Sequence, residues 1–298
     1  MFKYLLYKFG QFCVNHLSPN AAYAMAAFIS DWQYRLSFRD RQAVRHNLKI
    51  ILGRQDHLEP ETREVFRNFG RYLVDFFRMN RHVDKEFIQE NVRIINRGHI
   101  DRVLAEGKGG IILTAHIGNW ELGGVILSLL GYPVVGIALP HKERQVNRLF
   151  NQQRELKGMT IVQTTDAMRV CLEAIRNNKL VGVLADRDFT ASGEILDFLG
   201  RKAFIPKGPA IFSKKTGAPI IPVFFVREND GTFTLTCEAP MYPVNDSFSR
   251  KQEKVNNDKE EAERLNLIPT IKQYAAIIEQ KIRQHPTQWL MFREFWVK

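Results

Sequence analysis

The stretch "GGIILTAHIGNWELGG", residues 109–124, decides how this chain is read. A glycine pair opens an apolar run, Ile111, Ile112 and Leu113, that closes on His116. Asn119, Trp120 and Glu121 follow within the next turn, where a helix is expected to start. A buried strand that hands a histidine to a helix start is a natural place for chemistry. It is equally an ordinary turn that happens to hold polar residues, and the rest of the chain has to discriminate.

Working outward, short β-rich runs alternate with amphipathic segments from about residue 92 onward. Strands are expected at "VRIIN", "GIILTAH", "YPVVGIAL", "TIVQT", "LVGVLAD", "EILDFLG", "KAFIPK", "APIIPVFFVRE" and "TFTLTCEA". Helices are expected at "IDRVLAEG", "WELGGVILSLLG", "KERQVNRLFNQQRELKG", "DAMRVCLEAIRNNK" and "GPAIFSKKTGA". That alternation predicts an α/β fold, a central, mostly parallel mixed sheet flanked by helices. Sites in such sheets form at the carboxyl ends of strands, where His116 and "ADRD" (185–188) both fall. "NDSFSRKQEKVNNDKEEAE", residues 245–263, reads as a polar surface loop leading to the helix "LIPTIKQYAAIIEQKIRQH". The aromatic "HPTQWLMFREFWVK" reads as a terminal segment docked on the core.

Residues 1–90 read as all-helical, ahead of an α/β unit over 91–298. "MFKYLLYKFGQFCVNHL" repeats Phe2, Leu5, Leu6, Phe9, Phe12 and Cys13 at spacings of three and four, with Lys3 and Lys8 between them. This is the pattern of an interfacial helix, or of a plain amphipathic helix packed on its own domain. "EPETREVFRNFGRYLVDFFR" gathers Val65, Phe66, Phe69, Leu73, Phe76 and Phe77 on one face and assigns Arg63, Arg67, Arg71 and Arg78 to the other. Those arginines are either solvated or set against anionic headgroups, where each basic residue contributes on the order of 1 kcal/mol. No stretch approaches the roughly 18 apolar residues of a membrane span, and no small-residue cleavage site marks a signal peptide. Monotopic or peripheral attachment to a membrane surface is the expectation, with a single span as the alternative.

The 298 residues, 45% of them hydrophobic, suffice for a sizeable core. A net charge of +11 calls for an acidic partner: nucleic acid, anionic lipid, an acidic carrier protein or a phosphorylated substrate. Nucleic acid is disfavoured, because the aromatics follow helical core spacing and no RNP-like strand motif occurs. Cys13, Cys171 and Cys237 lie far apart, which is neither a disulfide framework nor a zinc-ligand spacing.

His116 and Glu121, five apart, would not face each other on a continuous helix. If His116 ends the strand and Glu121 lies in the first helical turn, the helix entry can fold the carboxylate back to the imidazole, with Asn119 or Gly118 as cap. A carboxylate on one ring nitrogen fixes the tautomer and makes the other nitrogen a better base. Deprotonating a substrate alcohol for acyl attack requires such a base. No Gly-x-Ser-x-Gly elbow, dinucleotide fingerprint or P-loop is present. A two-metal site from His116, Glu121, Asp186 and Asp188 is disfavoured by Arg187 between the aspartates, so neither metal nor cofactor is expected.

Taken together, "GKGGIILTAHIGNWEL", "VGVLADRDF", "LDFLGRKAFIPKGPAIFSKKTGAPIIPVFF" and "HPTQWLMF" resemble the bacterial lipid A biosynthesis acyltransferase family, which is lysophospholipid-acyltransferase-like. The resemblance covers residues 35–296 and implies a glycerolphosphate-acyltransferase-like fold. It implies acyl transfer from acyl carrier protein or acyl-CoA to a hydroxyl of a lipid or glycolipid at the inner face of the membrane, a lipid A precursor first. On that pattern His116 is the general base and Glu121 its charge partner. Asp186, Arg187 and Asp188 match an Asp-x-Asp-like stretch with structural or substrate-binding roles, and Arg187 can hold phosphate. Lys207 and Gly208 fall where related enzymes approach the acceptor's phosphate, and Arg144 and Asn147 where the family places polar residues; Asn119 joins the substrate-binding set. The chain departs at Pro206-Lys207-Gly208-Pro209, where wider phospholipid acyltransferases carry Glu-Gly-Thr, and at Met291, where a second tryptophan is common. Alternative acceptors are a phospholipid, an ornithine-type lipid or a phosphatidylinositol mannoside; the non-enzyme alternative is a lipid-binding scaffold.

Overall fold

Strands form where Val, Ile and Phe concentrate between glycine or polar breaks, and the computed structural model describes residues 2–188, 193–243 and 256–297. Five helices come first: α1 (Phe2–His16), α2 (Pro19–Leu36), α3 (Phe38–Leu52), α4 (Glu59–His82) and α5 (Lys85–Asn91). The α/β part then runs β1 (Val92–Ile95), α6 (Gly98–Ala105), β2 (Gly110–Thr114), α7 (Trp120–Leu129), β3 (Val134–Ala138), α8 (Arg144–Glu155) and β4 (Thr160–Gln163). It continues with α9 (Ala167–Arg176), β5 (Leu180–Leu184), β6 (Glu194–Phe198), β7 (Arg201–Ile205), α10 (Gly208–Thr216), β8 (Ile220–Arg227), β9 (Phe233–Cys237) and α11 (Asn256–Gln284).

Seven strands make one sheet in the order β1-β9-β8-β2-β5-β3-β4, and β6 and β7 form a separate hairpin. Only β8 and β9 run antiparallel within the large sheet. The α/β expectation is met, with strands at every predicted run. The two central strands, β2 and β5, are covered on both faces, which is why they read as apolar runs rather than as alternating ones. One face packs on α4, α7 and α8 through Phe76, Leu122, Val125, Leu149 and Phe150. The other packs on α9, α10 and α11 through Ile175, Phe212, Tyr274 and Ile278. The chain after β2 therefore turns to one face and the chain after β5 leads to the other. This is the crevice at a switch point that open α/β sheets use for ligands.

Two expectations are corrected. Arg78 is not on an outer face: it is buried, and its guanidinium donates to the carbonyls of Val14 and Leu17 at the C-terminal end of α1. Arg63 and Arg67 both fork onto Asp31 of α2, and Arg71 pairs with Glu64, so these cations already have carboxylate partners. The two arginine forks hold the Asp31 carboxyl far below the usual range. As for the polar stretch 245–263, α11 begins within it at Asn256, while 245–255 lie outside the described residues.

Beside their charged side chains, α1 and α2 present large apolar ones to solvent. Leu5, Leu6, Phe9 and Phe12 are exposed on α1, and Phe28, Ile29, Trp32 and Leu36 on α2. No described helix is long and apolar enough to cross a membrane.

Candidate active site

In register, Gly110 of β2 pairs with Leu180 of β5 and Thr114 with Leu184. Two residues past that last pair stand His116 and Asp186, side by side at the carboxyl ends of parallel neighbours. His116 Nδ1 lies 2.8 Å from Asp186 Oδ1, and the His116 backbone N–H donates to Oδ2 at 2.9 Å. Trp289 Nε1 donates to the same Oδ2 at 2.9 Å. An ionised carboxylate only accepts, so Nδ1 carries the hydrogen and Nε2 keeps its lone pair.

Asp186 is fully buried. Burial alone would raise its pKa, but the neighbouring imidazole and the N–H donors outweigh burial and hold the carboxyl below its ordinary value. The charge is thus fixed in a low-dielectric place, where it acts strongly on the ring it touches. Cys171 and Cys237, by contrast, are buried thiols pushed up to about 11 and about 12, which makes them poor nucleophiles.

Glu121 does not reach the imidazole. Its two oxygens accept from Arg154 Nε at 2.7 Å and Nη2 at 2.5 Å, a two-pronged pair in which both side chains are nearly buried. The expected His116–Glu121 contact is therefore replaced by His116–Asp186, and the local backbone explains why. Gly118 sits at φ 63°, where the loop bridges Phe225, and Ile117 bridges Trp289. A Cβ at Gly118 would fall 2.1 Å from the Phe225 carbonyl oxygen, so only glycine lets the loop lie this close. Helix α7 then starts at Trp120, whose ring packs edge-on against the imidazole at 4.8 Å and stacks on Tyr72 at 4.7 Å. The indole, not the Glu121 carboxylate, is the side chain of this turn that lies against the imidazole.

Asn119 is the N-cap of α7: its Oδ1 accepts from the Leu122 N–H at 3.1 Å. Its Nδ2 donates to Asp75 Oδ2 at 3.1 Å, so its amide is engaged inside the protein and turned away from any substrate. Asp75 also accepts from Tyr23 and Arg227, both at 2.6 Å. This buried cluster ties α2, α4 and β8 to the start of α7.

A cavity of about 350 Å³ opens beside His116. His116, Trp120, Glu121, Arg154 and His141 line its polar end, and Ile112, Leu127, Val134, Met159 and Ile161 its apolar depth. Burial, and then Arg154, lowers the His141 pKa, which favours its neutral form. Of the site residues expected from sequence, His116 and Glu121 line this cavity and Asp186 lies directly behind His116. The others do not line it. Asn147 accepts the His141 N–H at 3.0 Å and so pins the loop at the mouth. Arg144 is exposed at the start of α8, and Lys207 and Gly208 stand half-buried at the start of α10. Both helices lead into strands parallel to β2, or to its parallel neighbours, so they begin at the carboxyl edge that carries His116. Arg187 and Asp188 follow Asp186, and Asp188 accepts the Gly193 N–H at 2.6 Å.

Arg154 was missed by the sequence reading. The signal was a cation on the apolar stripe of α8, beside Val146, Leu149, Phe150 and Gln153. Among the described residues no group of His, Cys, Asp and Glu side chains has the arrangement of a metal site.

Residues 1–298 match the sequence profile of the family described as bacterial lipid A biosynthesis acyltransferase. The phosphatidylinositol mannoside acyltransferase of Mycolicibacterium smegmatis is 29% identical over 216 residues, 70% of this chain and 71% of its own. That of Mycobacterium tuberculosis is 26% identical over 278 residues, 91% of this chain and 82% of its own. The lipid A biosynthesis acyltransferase of Haemophilus influenzae is 29% identical over 142 residues, 47% of this chain and 44% of its own. With the profile spanning sheet, helices and the His116 site alike, the chain belongs to the bacterial lipid A biosynthesis acyltransferase family and is an enzyme of acyl transfer.

Proposed function

We propose that this enzyme moves a fatty acyl group from a thioester, on acyl carrier protein or coenzyme A, to a hydroxyl of a membrane glycolipid, with His116 as general base. The observation that carries the reading is His116 at the polar end of an apolar cavity with Nδ1 tied to a buried carboxylate. Nε2 takes the acceptor's hydroxyl proton as its oxygen attacks the thioester carbonyl. The C–S bond then breaks, and the departing thiolate recovers the proton from Nε2. Glu121 serves the step through Arg154, whose guanidinium it holds at the cavity wall. Arg154 supplies positive charge for the developing oxyanion, and Arg144, Asn147, Arg187, Lys207 and Gly208 the carboxyl-edge contacts for the acceptor's headgroup. The acyl chain occupies the apolar depth.

The acceptor is a lipid A precursor on the family's own description. A second reading, a phosphatidylinositol mannoside, is favoured by the wider coverage of the mycobacterial relatives, 91% of this chain against 47% for the Haemophilus enzyme. Labelled acyl carrier protein and acyl-CoA, offered with a panel of detergent-dispersed acceptors, decide between them. The expected result is label on one glycolipid class; binding of lipid vesicles with no label on any acceptor would leave a scaffold and overturn the reading.

Residues 1–90 hold the enzyme on the cytoplasmic face of the inner membrane as a monotopic or peripheral protein, ahead of the catalytic unit 91–298. The bare apolar faces of α1 and α2 support this, with Lys3 and Lys8 on α1 and Arg35 over the Trp32 ring. A buried aromatic side chain contributes about 1.5–3 kcal/mol. Replacing Phe9, Phe28 and Trp32 together by serine is therefore expected to weaken co-sedimentation with anionic vesicles at least 100-fold while leaving the melting temperature unchanged.

A further inference from the structure

Glycines carve the cavity described above. Gly136 of β3 and Gly182 of β5 are register partners at the centre of the sheet, and Ile112 of β2 flanks Gly182 on its other side. With no side chains on either residue, a trench opens on the face that α7 covers. Gly123 and Gly124 of α7 line its opposite wall. Its floor is formed by Ile112 and Thr114 of β2, Val134, Gly136 and Ala138 of β3, and Gly182 and Leu184 of β5, with Ile137 and Val183 also bordering it.

The trench has a direction. His116 stands at the carboxyl end of β2, and Ala138 and Leu139 share that end. At the other end Val135 pairs with Thr160, which puts Met159 level with Val134, at the foot of the strands. Met159 is buried. A Cβ built on Gly124 would meet its Cε at 2.9 Å, and one built on Gly136 would meet Cε at 3.1 Å. The thioether thus reaches from the foot of β4 into the gap between helix and sheet, up to the level of Gly136. From Gly136, where the Met159 Cε stands, to Ala138 the trench runs two residues, about 7 Å at the strand rise of ~3.3 Å per residue. Its 350 Å³ holds about a dozen methylene-sized groups, taking the ~30 Å³ of a water molecule as the measure.

We infer that Met159 is the end stop that sets the length of the transferred acyl chain, with the Gly136–Gly182 pair providing the trench it closes. The inference rests on the reading that the acyl chain lies in this cavity. Methionine suits the position because an unbranched, flexible side chain fills an irregular gap. Its length is also what a change of specificity would act on.

Two substitutions move the limit in opposite directions. Met159→Ala removes three heavy atoms from the floor and is expected to move the optimum two to four carbons longer. Gly182→Val adds methyl groups beside Gly136, at the level of the Met159 thioether; its Cβ meets only the Val135 carbonyl oxygen, at an ordinary 3.7 Å. It is expected to cut transfer of long chains relative to the shortest by at least tenfold. The experiment offers acyl-CoA and acyl carrier protein donors from eight to eighteen carbons to the intact wild-type protein and both variants, with melting curves as a folding control. Equilibrium binding of a fluorescent fatty acid series is measured beside it. A length profile that shifts as stated supports the assignment; if Met159→Ala fails to fold, Gly182→Val carries the test. Transfer with an unchanged profile in a folded variant overturns Met159 and spares the acyltransferase reading. Shifted binding profiles with no transfer by wild type overturn that reading and spare the end stop. Absence of both binding and transfer overturns both.

Discussion

Replacing Asp186 by asparagine is expected to lower kcat for acyl transfer by about three to four orders of magnitude while the protein remains folded. The carboxylate accepts three N–H groups, and two of them converge on Oδ2. An asparagine oxygen can keep those two, from the His116 backbone and Trp289, which turns its NH₂ toward His116 Nδ1. Nδ1 must then accept, so the ring hydrogen moves to Nε2 and the base is lost without loss of shape. Nitrogen NMR of the imidazole checks this independently of rate: Nδ1–H in wild type, Nε2–H in Asp186→Asn, and no change of tautomer in Glu121→Gln. Because the Asp186 pKa lies below its ordinary value in the folded protein, its stabilising charge is present at neutral and mildly acid pH. That contribution is lost only as pH falls through the lowered folded value.

The second large effect is on stability. Asp75→Ala is expected to cost about 3–5 kcal/mol, since it leaves Arg227 charged and nearly buried with its carboxylate removed. Arg227 packs over the rings of Tyr23 and Phe233, 4.8 and 4.3 Å from their centres, so it has little room to swing out to water. Asn119 would also lose the acceptor for its Nδ2, loosening the cap that starts α7. Calorimetry should show the midpoint falling by about 10 °C, given the few degrees per kcal/mol of a chain this size. A fall under 2 °C would mean that water replaces the carboxylate without penalty. Asp75→Asn, which retains an acceptor, is expected to cost less.

Much of this was legible in the chain. Strand and helix positions followed from apolar periodicity, and His116 from its place at a strand end. The partner of His116 was legible too, but only by laying two strands side by side. "GIILTAH" and "LVGVLAD" are both seven residues long, and in parallel register their last residues, His116 and Asp186, meet. Pairing within one short motif pointed to Glu121 because sequence distance was read as spatial distance; Trp120 and the Gly118 turn decide otherwise. Arg78, Arg154 and Arg227 were harder for a common reason. Each is a cation inside an apolar pattern, and its partners are carbonyls or carboxylates from elements remote in sequence. The trench was least visible, since single glycines in two strands mean nothing until register sets them opposite each other.

The central claim is that a carboxylate-tethered His116 takes the proton from a lipid hydroxyl. The most direct measurement is transfer of a labelled acyl group to the accepted glycolipid by wild type, His116→Ala and Asp186→Asn at saturating donor. The account expects label with wild type, a fall of at least 1,000-fold in both variants, and unchanged melting curves. Either variant folded and within tenfold of wild type would contradict it.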